Sequence, residues 1–327
     1  MKKLPILIAT VVALMNVSCS QPKTGATASA PDAPVEVGAY TVNQIVEGVY
    51  HIQDFNHDNP AGETFDAEGN KTHFNNCSDL YLLTGEKEAL LIDLSNNITW
   101  NDSAQQSLRQ LVADRIGGLP LTITFTHNHG DHTGMLPAFA NDSTVCFALP
   151  RIDFEALVER YPVAHYELYD AGKQFDLGGK TVSTVLVPGH THGSMVFFLD
   201  GQDIAFSGDA IGSGHGVWIF NAEGFEELEI GVLNLINYIH DKGINTDRLT
   251  FYGGHYWQRD WFEDQIEGEL INWQYLQDMN SLIAEIFDGM AQTEPSGLNH
   301  PVLDTYFRHG NAIVVWNKEQ AKGVERP

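Results

Sequence analysis

The sequence has little cysteine, little positive charge and no long apolar run. Three cysteines in 327 residues exclude a disulfide scaffold, which needs several bridges in a short chain. Eighteen Lys and Arg stand against 43 Asp and Glu, for a formal charge of −25. Nucleic acid and anionic membrane surfaces are bound through Lys and Arg, so neither is expected as a partner. An anionic substrate is still admitted if a metal supplies local positive charge. The one marked apolar stretch, "LPILIATVVALM", falls short of the roughly 20 residues that cross a bilayer.

What is present is globular: 43% of residues are hydrophobic and 19% charged, material for a sizeable core. The apolar stretch follows a basic "MKK" and precedes "NVSCS", the layout of an export signal. It resembles a bacterial lipoprotein signal in which Cys19 becomes the lipidated first residue, although Asn16 stands where a Leu is usual. The expected organisation is therefore a signal over residues 1–19, a flexible linker over 20–38 and one catalytic domain over 39–327. The linker is rich in Ala, Pro, Ser and Thr and shows no core pattern. That reading places the protein outside the cytoplasm of a bacterium, as a periplasmic or cell-surface lipoprotein that meets the membrane only through its anchor. Export would permit a disulfide between Cys77 and Cys146. Both lie in strand-like apolar contexts, where a buried free thiol is the expected state.

The body alternates strands and helices. "LYLLTGEKEALLID" predicts two strands around a turn. "NDSAQQSLRQLVADRIGG" predicts a helix capped by Asn101 or Asp102 and ended by Gly117. "LTITFT" predicts a short buried strand, a short helix should follow Asp131, and "RIDFEALVERY" predicts another helix. Later come the strands "KTVSTVLVPG", "SMVFFLDG", "DIAFSG" and "RLTFYGG". "FEELEIGVLNLINYIHDKG" predicts an amphipathic helix stopped by Gly243, and "WFEDQIEGELINWQYLQDMNSLIAEIFDG" a long one. "NAIVVW" closes the series as a strand. Two sheet-rich halves with helices between them imply an α+β sandwich of sheets flanked by helices. The polar stretch at residues 57–73 is unusually long for a loop, which favours a functional flap or a disordered segment.

Chemistry concentrates in "THNHGDHTGM", residues 126–135. Imidazole nitrogen and carboxylate oxygen suit zinc and similar divalent ions. His127 and His129 sit two apart past a strand end, so in extended chain their side chains project to one side. Asp131 and His132 follow as the chain turns into a helix and approach from another side. His190, Asp209 and His255 each lie just past a predicted strand, and each is preceded by glycine, which lets the backbone come close to a site. His192 is expected to act as a supporting group or a donor to nearby backbone. His215, Trp218, Tyr256 and Trp257 neighbour the later ligands and are the candidate lining of a substrate pocket.

The ordered set "HNHGDH", "GHTHGS", "SGD" and "GGH" resembles the metal motifs of the metallo-β-lactamase superfamily, over roughly Tyr40 to Trp257. The resemblance implies a four-layer αββα sandwich with a two-metal site, two Zn²⁺ or other divalent ions. It implies that His127, His129 and His190 bind the first metal, that Asp131, His132 and His255 bind the second, and that Asp209 bridges them. Asp93 would support the metal loop without being a ligand. The β-lactamases proper of this fold lack a bridging aspartate, so Asp209 aligns the chain with the glyoxalase II, lactonase and phosphodiesterase-like members. Diiron electron-transfer relatives usually carry Glu where His129 stands, which favours zinc hydrolysis here. The expected activity is hydrolysis of a small ester, thioester or lactone by a metal-bridging hydroxide, with Asp131 as the catalytic carboxylate. A β-lactamase or other amide hydrolase, a phosphodiesterase, and a non-hydrolytic metal-binding or electron-transfer module are the alternatives. The lack of Lys and Arg near the metal loops weighs against a phosphodiester.

Overall fold

The structure, a computed structural model, describes residues 34–55, 64–65, 71–73, 76–213, 216–255, 271–298, 300–324 and 326. The signal segment with Cys19, the linker up to residue 33, most of the proposed flap, and His215, Tyr256 and Trp257 lie outside the described residues.

The first half builds an eight-stranded sheet. Strands β1 (Val35–Val37), β2 (Tyr40–Val46) and β3 (Val49–Asp54) form a meander. A small hairpin of β4 (Thr64–Phe65) and β5 (Lys71–His73) follows, then β6 (Asp79–Thr84) and β7 (Ala89–Ile92). Helix α1 (Ala104–Ile116) leads to β8 (Leu121–Thr124), the short α2 (Gly130–Thr133) to β9 (Val145–Pro150), and the short α3 (Arg151–Phe154) to β10 (Tyr166–Tyr169). The sheet order is β1-β2-β3-β6-β7-β8-β9-β10, with β7 to β10 parallel.

The second half holds β11 (Gln174–Asp176), β12 (Thr181–Leu186), β13 (Met195–Leu199) and β14 (Ile204–Gly208). After β15 (Val217–Trp218) and α4 (Ala222–Lys242) come β16 (Thr250–Gly253), β17 (Ile271–Asn272) and α5 (Trp273–Phe287). The chain closes with β18 (Gln292–Pro295), β19 (Thr305–His309), β20 (Ala312–Trp316) and α6 (Lys318–Ala321). The six-stranded sheet runs β11-β12-β13-β14-β16-β17.

Strand alternation explains the layering. On β6 and β7, Leu80, Leu82, Ala89 and Leu91 join the cluster around Leu108 and Leu111 of α1. Their alternates Tyr81, Leu83, Leu90 and Ile92 pack with Phe197, Leu199 and Phe206 of the other sheet. On β13, Val196 and Phe198 face the α4 and α5 side, among Leu228, Val232 and Leu276. A period of two therefore gives each central strand one face toward a helix and one toward the facing sheet. The result is the αββα sandwich the sequence implied.

Three expectations are corrected. "RIDFEALVERY" is helical only over Arg151–Phe154, with a 3₁₀ turn at Val158–Arg160. One turn suffices to bury Phe154 against Phe125, and Tyr161 before Pro162 leaves helical geometry, as a residue preceding proline tends to. Of the long predicted helix, residues 261–270 lie outside the described residues; its described part, α5, starts at Trp273, because Ile271–Asn272 pairs with β16 and the Asn272 side chain accepts from Tyr275 N–H as N-cap. Ser103 takes the N-cap position of α1, and Asn101 instead accepts from Ser103 N–H in a turn just before it. Helix α4 is as read, with Asn221 capping and Gly243 left-handed at its end. Cys77 is buried and Cys146 half-buried, both free thiols.

A third sheet, β15-β20-β19-β18, was not legible in the sequence beyond the strand "NAIVVW". It pairs β15, just after Asp209, in parallel with β20.

Candidate metal centre

The chemistry-bearing residues meet where parallel strands end. Strands β7 and β8 run parallel in one sheet, and β14 and β16 run parallel in the other. Asp93, the metal loop, Asp209 and His255 follow the carboxyl ends of β7, β8, β14 and β16, and His190 follows β12. Backbone bonds stitch the sheets at this edge: Met195 N–H to Thr126 O at 2.8 Å and Asp79 N–H to Gly254 O at 2.8 Å. The crevice beyond strand ends is where α/β folds place ligands.

Seven side chains converge there. His127, His129 and His190 bring ligand atoms within 4.8 Å of one another, as do His127, His132 and Asp209, and as do Asp131, His132 and His255. Asp209 Oδ2 links the groups, lying 3.2 Å from His255 Nε2, 3.6 Å from His190 Nε2 and 3.7 Å from His132 Nε2. His255 Nε2 is 3.5 Å from Asp131 Oδ2.

Four of the five imidazoles are oriented by an oxygen on the other nitrogen. His132 Nδ1–H donates to Asp93 Oδ2 (3.0 Å), His190 Nδ1–H to Trp218 O (2.9 Å) and His255 Nδ1–H to Cys77 O (2.6 Å). His127 Nδ1 meets Thr126 Oγ1 at 3.0 Å, and that hydroxyl donates to Asp93 Oδ2 at 2.7 Å. Such partners fix the tautomer and leave the inner nitrogen as a lone-pair donor. His129 turns Nδ1 inward, 2.9 Å from His190 Nε2.

These residues fit a divalent metal. His127 Nε2 is buried and has no hydrogen-bond partner among the described residues, a costly state for a polar atom unless a cation completes it. Two nitrogens as close as those of His129 and His190 are likewise satisfied together by one ion. Glycine is required at position 254, where a Cβ would stand 2.5 Å from Asp209 Oδ1 and 2.6 Å from His132 Cε1.

The electrostatics divide the centre. Burial, reinforced by the neighbouring imidazoles, pushes His127 well below the usual histidine range and His129 down to about 4. Burial also lowers His190, which Asp209 only partly offsets. This side is a set of neutral nitrogen donors. On the other side burial opposes charge, but Asp209, Asp131 and Asp93 outweigh it and raise His132 well above its usual value. Asp209 and Asp131 likewise raise His255 to about 9 against burial. Asp209 itself is held well below the carboxylate range, since His255 and His132 overcome its burial. Protons on this side occupy the place that a cation's charge would take.

Several contributors escaped the sequence. Asn76 Nδ2 donates to Asp131 Oδ2 at 2.5 Å. Cys77 and Trp218 act through their carbonyls, which no side-chain pattern announces. Trp218 was nominated for its indole; that side chain is half-buried against Leu303, Tyr306, Ile313 and Val315. Among the described residues, the aromatic beside the pair His129 and His190 is Phe220, whose ring centroid lies 5.8 Å from that of His129 and 5.7 Å from that of His190. A cavity of about 310 Å³ opens there, lined by Asn128, His129, Asp153, His190, His192 and Phe220 among others. Among the described residues, His192 bonds neither backbone nor a candidate ligand: its Nδ1 pairs with Glu227 Oε2 at 2.7 Å on the surface.

Comparison with known proteins agrees with this geometry. Residues 78–239 match the family model described as metallo-beta-lactamase superfamily. The chain belongs to the metallo-β-lactamase superfamily. Among solved structures, a metallo-beta-lactamase from Pontibacter korlensis superposes with a TM-score of 0.53 at 15% identity, covering 75% of this chain and 99% of that one. The DIM-1 metallo-beta-lactamase gives 0.52 at 15% identity, covering 76% and 99%. Both likenesses concern the fold. An atrochrysone carboxyl ACP thioesterase of Aspergillus chevalieri is 28% identical over 177 residues, 54% of this chain and 50% of that protein. The lactamase-like protein ptaB of Pestalotiopsis fici is 31% identical over 134 residues, 41% and 38% respectively. The chain thus spans half or less of the length of these relatives.

Proposed function

We propose that the protein is a metal-dependent hydrolase, with two zinc or similar divalent ions, acting on a small thioester. The observation that carries this reading is Asp209 Oδ2, set between the neutral triad of His127, His129 and His190 and the charged triad of Asp131, His132 and His255. A metal pair held there would lower the pKa of water toward neutrality and polarise a carbonyl oxygen. The chain's own residues supply the rest. The oriented imidazoles keep their donors pre-aimed, and Asp131, fixed by Asn76, takes the proton of the attacking water and passes it to the thiolate that departs as the C–S bond breaks. Phe220 forms an apolar wall beside His129 and His190.

The thioesterases among the relatives favour a thioester over an ester, lactone or β-lactam. The net charge of −25 and the Glu223 and Glu227 carboxylates beside His192 weigh against a phosphate-bearing carrier arm. The substrate is then a free, uncharged or cationic thioester. A panel of an N-acetylcysteamine thioester, the matching coenzyme A thioester, nitrocefin and a nitrophenyl phosphodiester tests this. The expected order puts the neutral thioester first, by about tenfold in kcat/KM, corresponding to roughly 1.4 kcal/mol of transition-state binding. Nitrocefin or the phosphodiester turning over fastest overturns the proposal.

We also propose that the protein is exported and anchored through a lipid on Cys19, on the strength of the basic, apolar and "NVSCS" segments. Radioactive palmitate should label the wild-type chain in bacterial cells and not the Cys19→Ser variant. An unlabelled wild type rejects the anchor.

A further inference from the structure

Among the described residues, one acidic residue bonds both loops of the neutral triad and belongs to neither: its carboxylate reaches the His190 loop and its backbone carbonyl reaches the loop of His127 and His129. Asp153 lies on α3, next to Phe154, whose ring is fully buried and stacked 5.2 Å from Phe125. The backbone of Asp153 is therefore pinned to the core. Its own side chain is 6% exposed. Oδ2 accepts from Thr191 Oγ1 at 2.7 Å and Oδ1 accepts from Gly193 N–H at 2.8 Å. Thr191 is the residue after His190. The backbone carbonyl of Asp153 accepts from Asn128 Nδ2 at 3.0 Å, and Asn128 sits between His127 and His129. Gly193 leaves space for this arrangement, since a Cβ there would stand 2.6 Å from Asp153 Oδ1.

We propose that Asp153 is a positioning residue for one metal site of the centre, setting the spacing between His190 and the pair His127 and His129. Its hydrogen bonds reach both loops of that triad, while among the described residues none of them reaches Asp131, His132 or His255. The selectivity follows: loosening Asp153 separates the three nitrogens of the neutral triad and leaves the carboxylate-rich side in place. The inference rests on the two-metal reading above, and its test does not require turnover.

The conservative change is Asp153→Asn. The amide oxygen can still accept from Gly193, but the amide nitrogen cannot accept the Thr191 hydroxyl. Thr191→Val removes that same bond from the other side, together with the 2.7 Å bond between Thr191 Oγ1 and Ser194 Oγ. Cobalt(II) titrations of metal-free wild type and variants, followed by visible absorption, read the two sites separately. In Asp153→Asn the dissociation constant of one equivalent should rise by about 10–100-fold, the range for residues that orient metal ligands. The other equivalent should be unchanged. Thr191→Val should act in the same direction, and the double variant should lose less than the sum of the two single losses, because the two changes share one interaction. A general structural role would weaken both equivalents alike and give additive effects, and either result overturns the proposal. So does unchanged binding in both variants. Should Asp153→Asn fail to fold, Thr191→Val alone decides by the same criterion. A wild type that takes up no cobalt strikes the metal-hydrolase reading itself, before any variant is compared.

Discussion

Asp209→Asn should lower hydrolysis on the order of 10³-fold, the scale lost when a preorganised electrostatic group is removed from a reacting centre. The substitution keeps the shape of the side chain, and Ser213 Oγ, 3.1 Å from Oδ1, can still donate to it. What disappears is the charge on Oδ2, which among the described residues is the one oxygen in reach of His190, His132 and His255 together. Metal content should fall with activity. The pH dependence of metal uptake should change as well. In the metal-free wild type His255 stays protonated up to about 9, above the roughly 6.5 of an unfolded histidine. Its charged form stabilises that state fully below 6.5, and the contribution is lost as pH rises through 9. A metal competes with this proton, so wild-type affinity should climb across the same interval. Without the Asp209 charge burial prevails, the imidazole is neutral at lower pH, and the climb should end sooner. Metal analysis, calorimetric titration at several pH values and far-UV circular dichroism check these outcomes together. A folded variant with wild-type activity and metal content would reject the bridging role.

The part of this centre that depends on Asp209 was readable because it is written in side chains. His127, His129, Asp131 and His132 crowd one loop, and His190, Asp209 and His255 each follow a strand and a glycine. The strands themselves announce their ends through short apolar runs. The orienting partners were much less visible. Trp218 and Cys77 act through backbone carbonyls, which every residue has. Asn76 reaches Asp131 across 55 positions, and only folding makes them neighbours. Asp153 stood inside a segment that read simply as a helix. The third sheet was hidden because β15 is two residues long, too short for a period-two pattern. Helix α5 was misjudged at its start because the apolar pattern of a strand residue, Ile271, merges with that of the helix it precedes.

Asp93 was legible as a supporting aspartate, and the structure shows how much depends on it. It is 1% exposed and accepts three hydrogen bonds. Thr126 N–H reaches Oδ1 at 2.7 Å, while Thr126 Oγ1 at 2.7 Å and His132 Nδ1 at 3.0 Å share Oδ2. Through Thr126 it also steadies His127, so one carboxylate orients a ligand of each triad. Asp93→Ala should therefore destabilise the metal-free protein by about 3–5 kcal/mol, the cost of removing one partner of a buried charged pair. Against a total of about 5–15 kcal/mol for a folded domain, this is a large fraction. A backbone effect is mixed into that figure, because Asp93 has φ of 65°, where Ala is strained by about 1–2 kcal/mol. Asp93→Gly separates the two, since glycine adopts that angle freely. The Gly variant should recover the strain and keep most of the loss, as Thr126 and His132 still lack their acceptor. Metal affinity should fall by about 10–100-fold in both variants, as expected when a ligand's orienting partner is lost. Urea unfolding of the metal-free proteins measures the first effect and metal titration the second. If Asp93→Gly matched the wild type in urea midpoint, the backbone angle alone would explain the residue and its support of the metal loop would be refuted.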